Sequence, residues 1–127
     1  MTQRDVVDYA LQRRAVLADI RSGRRSIAEA CDAHPYLLLA VRHYGEESPV
    51  ACPVCDRRHL RQVHYVYGDA LGKSAGQAKS RAELAELAHQ YEEFDVYVVE
   101  VCPDCGWNHL IRSFVLGTSP QPLAADG

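Results

Sequence analysis

Apolar side chains recur at three- and four-residue intervals from Arg4 to about Arg21, where Val6, Val7, Ala10, Leu11, Leu17 and Ile20 make the stripe of an amphipathic helix. Gly23 suits its end. Ser26 then precedes Glu29 by three residues, the spacing of a capping box, so SIAEAC is expected to form a short helix. Pro35 opens a third helix that runs to about Tyr44 and closes at Gly45. The first 45 residues therefore read as a helical region.

The pattern changes after the polar stretch GEESP, which reads as a turn. His59 to Tyr67 is rich in Val, His and Tyr and ends before Gly68, as a strand would. GDALGKSAGQAKS has the composition of a loop. Ser80 and Glu83 make a second capping box, and Leu84, Leu87, Ala88 and Tyr91 supply one apolar face of a helix ending near Glu93. Asp95 to Val101 and His109 to Leu116 read as two further strands. The tail from 118 to 127 has a composition expected to stay disordered. The expected class is α+β: an N-terminal helical region (1–45) packed on an antiparallel ribbon with an inserted loop and helix (46–117).

The ribbon expectation rests on an internal repeat. CPVCDRRHL at 52–60 and CPDCGWNHL at 102–110 share the form C-P-x-C-x-x-x-H-L, and each leads into a β-like segment ending in glycine, at Gly68 and Gly117. A C-x-x-C turn presents two thiolates to one side of a metal ion, and the intervening proline stiffens the turn. Cys52, Cys55, Cys102 and Cys105 together supply the tetrahedral four-sulfur set of a structural Zn2+ site, which leaves no open position for catalysis. The same thiolates would also suit iron.

The 46 residues between the pairs exceed the compact spacing of roughly 15–20. The additional loop-closure cost is only about 0.9 kcal/mol. Against an apparent zinc affinity of roughly 10–16 kcal/mol this is tolerable, provided the insert packs as strand, helix and strand. A thioredoxin-like pair would need one C-x-x-C beside a βαβ unit, and the duplication argues against it. His59 and His109 occupy matching positions and are candidates to donate N–H toward a thiolate. Cys31, the fifth cysteine, reads as an ordinary core residue.

At 127 residues with 47% hydrophobic side chains, the chain suits one core better than two. Asp5 and Asp8 lie where a signal peptide would need an apolar run, and no stretch approaches the roughly 18 apolar residues of a membrane span. A cytoplasmic location with no membrane partner is expected, and cysteines in that compartment favour metal over disulfide chemistry. The net charge is -3, but residues 1–61 hold ten bases against eight acids and residues 62–127 hold four against nine. Any basic contact surface is thus expected near Arg13, Arg14, Arg21, Arg24 and Arg25. Arg57, Arg58 and Trp107, at the tips of the two knuckles, would suit a protein or nucleic-acid partner.

SIAEACDAHPYLLLAVRHYG also loosely resembles a helix-turn-helix of the MerR type, which implies a DNA-binding regulator. Leu37, Leu38 and Leu39 make its second helix apolar, which suits burial better than reading base edges. GDALGKS fails as a phosphate loop because Gly68 and Gly72 are one position too close, and no small-molecule substrate or catalytic residue is indicated.

VVDYALQRRAVL, CDAHPYLLLAVRHYG, CPVC, HYVYGDALG and EEFDVYVVEVCPDCGWNHLIRSFVLG resemble a family of short, functionally uncharacterised actinobacterial proteins. The resemblance spans nearly all of 4–117 and implies a bacterial protein without transferring an activity. The leading expectation is a non-enzymatic zinc-ribbon adaptor for a protein or nucleic-acid partner, serving transcription or a related process. A DNA-binding regulator and a thiol redox or zinc-release switch are its rivals.

Overall fold

The computed structural model describes residues 2–119 and has an α+β architecture. In chain order its elements are β1 (Arg4–Asp8), α1 (Ala10–Arg21), α2 (Ile27–Ala30), α3 (Pro35–Tyr44), β2 (Glu46–Ala51) and β3 (His59–Tyr67). A 3-10 turn (Asp69–Ser74), β4 (Ala78–Lys79), α4 (Arg81–Gln90), β5 (Phe94–Val101) and β6 (Asn108–Leu116) complete it. The antiparallel sheet runs β1-β6-β5-β3-β2, with β4 sharing the β3 edge that β2 occupies further along.

Strand alternation divides the core between the two faces of this sheet. Val66, Val96, Val98, Phe114 and Leu116 pack beneath Leu84 and Leu87 of α4 and Leu71 of the 3-10 turn. On the opposite face, Val41 of α3 packs on Val63 and Val101. The end of the molecule that carries the knuckles has its own core, in which Leu17 of α1 and Ala30 of α2 meet Leu60, Cys52, Cys102 and Trp107.

Three local expectations are overturned. Arg4–Asp8 is an edge strand, not the first turns of a helix, because β6 offers an open backbone edge that this segment completes. The helix starts after Tyr9, and the Asp8 carboxylate, one residue before that position, accepts the Ala10 N–H at 2.7 Å. The supposed turn GEESP likewise enters strand β2, where an edge position and an irregular register accommodate Pro49. The segment read as a loop contains the 3-10 turn and β4, anchored by buried Leu71.

Other signals translate directly. Ser26 accepts the Glu29 N–H and starts α2, and Ser80 with Glu83 forms a complete capping box on α4. α4 stops at Gln90, short of Glu93. Beyond β6, Thr118 and Ser119 donate N–H bonds to the carbonyls of Tyr91 and Glu92; the remainder of the tail expected to be disordered lies outside the described residues.

His64 on β3 is enclosed by this packing, with its side chain 6% exposed. Glu46, Arg81 and Arg112 surround it, and burial holds its pKa below the ordinary 6.5. The folded chain therefore binds fewer protons here than the unfolded one, so the contribution is complete above about pH 6.5 and declines as pH falls below it. Urea titrations between pH 7 and pH 5 are expected to show that decline, and His64→Gln should flatten it; an unchanged pH slope in the variant would assign the acid sensitivity elsewhere.

A four-thiol candidate metal centre

Both knuckles are hairpin tips. CPVC lies between β2 and β3, CPDC between β5 and β6, and the β3–β5 pairing sets Arg61 opposite Val101. The two tips consequently emerge at the same end of the sheet, and the long insert between them is absorbed by β3, β4, α4 and β5.

Within each tip, backbone amides shape the thiol pair. Cys52 N–H donates to the Arg58 carbonyl and Asp56 N–H to the Cys52 carbonyl; in the second knuckle Cys102 N–H donates to Trp107 and Gly106 N–H to Cys102. The residue after the second cysteine must turn left-handed, with φ of 55° at Asp56 and 89° at Gly106. The second position also needs glycine sterically, since a Cβ there would sit 3.0 Å from the Cys31 carbonyl oxygen.

The four Sγ atoms of Cys52, Cys55, Cys102 and Cys105 lie within 4.8 Å of one another. Across the knuckles, Cys52 to Cys105 and Cys55 to Cys102 both measure 3.7 Å. A tetrahedral ion with sulfurs at about 2.3 Å requires edges of about 3.8 Å, so these thiols can hold a metal ion with little rearrangement. Cys52 and Cys102 are buried, whereas Cys55 and Cys105 are partly exposed.

The electrostatics of the thiols are uneven. Burial pushes Cys52 and Cys105 up to about 12. The backbone N–H of Arg57 stabilises the Cys55 thiolate and brings it down to about 6. Four thiolates at this spacing need a cation to offset their charge.

The histidines do not serve the sulfurs. The N–H donors to sulfur are backbone groups, those of Val54, Cys55, Arg57, Cys105 and Trp107, and neither imidazole is among them. His59 is exposed, and His109 places Nδ1 2.6 Å from the Leu110 carbonyl while stacking on Trp107.

Trp107 is also placed differently from the tip position expected of it. It is 1% exposed, packed with Leu17, Ala30 and Leu60, and its indole N–H donates to Glu100 at 2.8 Å. Arg13 is drawn into the same network through a 2.7 Å bond to that carboxylate. A fully enclosed indole cannot meet a partner, so Trp107 leaves the proposed contact surface, and Arg13 is turned inward to Glu100 with its side chain 23% exposed. Arg14, Arg21, Arg24, Arg25, Arg57 and Arg58 remain exposed. Arg24 and Arg57 make surface ion pairs with Asp19 and Asp104, the second joining the two knuckles.

Cys31 is the residue that sequence reasoning missed. It caps α2 and places its Sγ 3.5 Å from Cys105. No spacing rule signals this, because the two positions are 74 residues apart.

The family described as "Family of unknown function (DUF5318)" matches residues 1–126. The chain belongs to DUF5318. This member is similar to "Uncharacterized protein Rv0049" of Mycobacterium tuberculosis and "Uncharacterized protein Mb0050" of Mycobacterium bovis. It is 48% identical to each over 113 residues, covering 89% of this chain and 82% of the relative. The actinobacterial resemblance read from the sequence is thereby borne out. No solved structure matches the DUF5318 chain. No helix among the described residues is long and apolar enough to cross a membrane.

Proposed function

We propose that this protein is a non-enzymatic zinc-ribbon adaptor in the cytoplasm. Zn2+ held by Cys52, Cys55, Cys102 and Cys105 closes the knuckles, and the N-terminal helical region docks a protein partner that carries acidic groups. Four sulfurs satisfy a tetrahedral ion completely, which favours a structural over a catalytic role. Zinc is favoured over iron by the closed, redox-inert role this assigns to it.

The observation that carries the adaptor reading is the outer face of α3. Tyr36, Leu38 and Leu39 are exposed there, although Val41 on the inner face already supplies the helix with its core contact. A short helix that is apolar on its solvent side suits association with another protein. This also corrects the expectation that Leu37, Leu38 and Leu39 would all be buried. Leucines offer no hydrogen bonds to base edges, so the same face disfavours sequence-specific DNA reading. Exposed Arg14, Arg21 and Arg25 make no ion pair among the described residues and would complement an acidic partner. A setting in transcription or a related process rests on analogy with other ribbon proteins.

Affinity capture from the native cell, with mass spectrometry, tests the reading. The wild-type bait should retain a partner that a Leu39→Glu bait loses while keeping its zinc. Equal recovery by both baits, or recovery of free DNA alone, would overturn the docking claim. Elemental analysis should find one zinc per chain, and its absence would overturn the metal claim.

A further inference from the structure

The fifth thiol lies beside the metal cluster without belonging to it. Cys31 Sγ stands 3.5 Å from Cys105 Sγ, closer than the 3.7 Å that separates the cross-knuckle sulfur pairs. Its position is held by backbone as well. Ala33 N–H donates to the Gly106 carbonyl at 3.1 Å, and the Cys31 carbonyl closes over Gly106 so tightly that only glycine leaves it ordinary room. The segment joining α2 to α3 is thus seated on the second knuckle. Cys31, Cys55 and Cys105 are partly exposed and Cys52 and Cys102 are buried; of the partly exposed ligands, Cys105 is the one within 3.5 Å of Cys31.

We propose that Cys31 is the resolving thiol of a peroxide-sensitive site, forming a disulfide with Cys105 that removes one ligand from the zinc ion. The inference rests on the zinc reading above and adds the regulation of that same site. A zinc-bound sulfur is a poor attacking group toward its co-ligands, since its electron pair is shared with the ion and its place in the tetrahedron is fixed. Cys31 stands outside the four and keeps a free thiol.

The chemistry needs a peroxide as oxidant. The Cys105 thiolate attacks one oxygen of hydrogen peroxide; the O–O bond breaks, Cys105 becomes a sulfenic acid and hydroxide leaves. Cys31 sulfur then attacks Cys105 sulfur, the S–S bond forms, and the sulfenic oxygen departs as water with the Cys31 proton. The hydroxide takes a proton from solvent. Two electrons pass from the two sulfurs to one peroxide, which ends as two waters. The sulfurs need to approach by only about 1.5 Å to reach the bonded distance of about 2.05 Å.

The product differs structurally from the starting state. Zinc keeps Cys52, Cys55 and Cys102, a set with an open position and weaker retention. A metal link between the two knuckles is replaced by a covalent link between the helical region and the second knuckle. Docking through α3 would then depend on the oxidation state of the cell.

The test uses zinc-loaded full-length protein treated with one equivalent of hydrogen peroxide, a chromogenic chelator to follow released zinc, and peptide mapping after alkylation. The expected result is a Cys31–Cys105 disulfide formed in step with zinc release, reversed by dithiothreitol and added zinc. Cys31→Ser should slow release about tenfold. First disulfides within either C-x-x-C pair, or equal release from Cys31→Ser, would overturn the proposal. Mapping of the wild-type chain decides the pairing even where the variant folds poorly. Zinc content before peroxide reports on the metal site alone, so its absence would sink the zinc reading while the disulfide map still judges the thiol pair.

Discussion

Chelating zinc from the loaded protein is expected to dismantle the knuckle end of the molecule and expose Trp107. Cys52 and Cys102 are interior members of the cluster that contains Leu17, Ala30, Leu60 and the indole, so an ion held by them would tie together the groups on which α1 and α2 pack. Apparent zinc affinities in small metal domains are roughly 10–16 kcal/mol, comparable with the whole stability of a domain at about 5–15 kcal/mol. Tryptophan emission should shift to the red and the cooperative melt should broaden or vanish. Emission that stays unchanged through stoichiometric zinc loss would show that the ion does not hold this core.

Proton competition sharpens the same experiment. Without metal, burial holds Cys52 and Cys105 as thiols with values near 12, while Cys55, near 6, is already ionised at neutral pH. A zinc ion bound by the four sulfurs would have to displace the protons of the first two. Affinity should therefore rise by about 100-fold per pH unit from those two groups around neutrality. For the metal-free chain the sign is opposite: the folded state keeps protons that the unfolded state releases above about pH 8.5, so its stability falls as pH rises toward 12. A metal affinity independent of pH would contradict both statements.

Arg13→Ala is expected to destabilise the fold by about 3–5 kcal/mol, although it lies on a helix whose other arginines are solvated. Its guanidinium pairs with Glu100, whose side chain is 7% exposed, and Trp107 is the other donor to the same oxygen. Removing Arg13 leaves a buried carboxylate with one neutral donor in place of a charged partner. Arg14→Ala, one position along, should change stability by less than about 0.5 kcal/mol. Glu100→Gln in combination with Arg13→Ala should recover much of the loss, since no uncompensated charge remains. Equal urea midpoints for the two arginine variants would show that the network contributes nothing.

The difference between Arg13 and Arg14 illustrates how much was legible beforehand. Both belong to the same basic run, and composition gives no reason to separate them. Arg13 acquires its role from Glu100, which is 87 residues distant in the chain and brought near only by packing of α1 on the sheet. The charge run was correctly read as basic, and one of its members has a stabilising contact that no local pattern records.

Strand edges show the same division. Val6 and Val7 fit a helical stripe as well as they fit a strand, and the hydrogen bonds offered by β6 decide the matter. The polar stretch GEESP read as a turn, and an edge position without demand on the missing N–H of Pro49 lets it enter a strand. β3, β5 and β6, central and rich in β-branched and aromatic residues, carried their own signal.

By itself the sequence determined the parts whose physics is short-ranged: the thiol donors in two C-P-x-C turns, the Ser–Glu caps of α2 and α4, and the central strands. Ligand type, turn stiffness and capping are properties of a few adjacent residues. Tertiary structure alone decided that β1 and β2 complete the edges of the sheet and that Trp107 is interior. It also decided that Cys31, remote in sequence and without a motif, stands beside Cys105. Those outcomes depend on backbone pairing and burial between distant segments, where the free energy belongs to the contact and not to either stretch of chain.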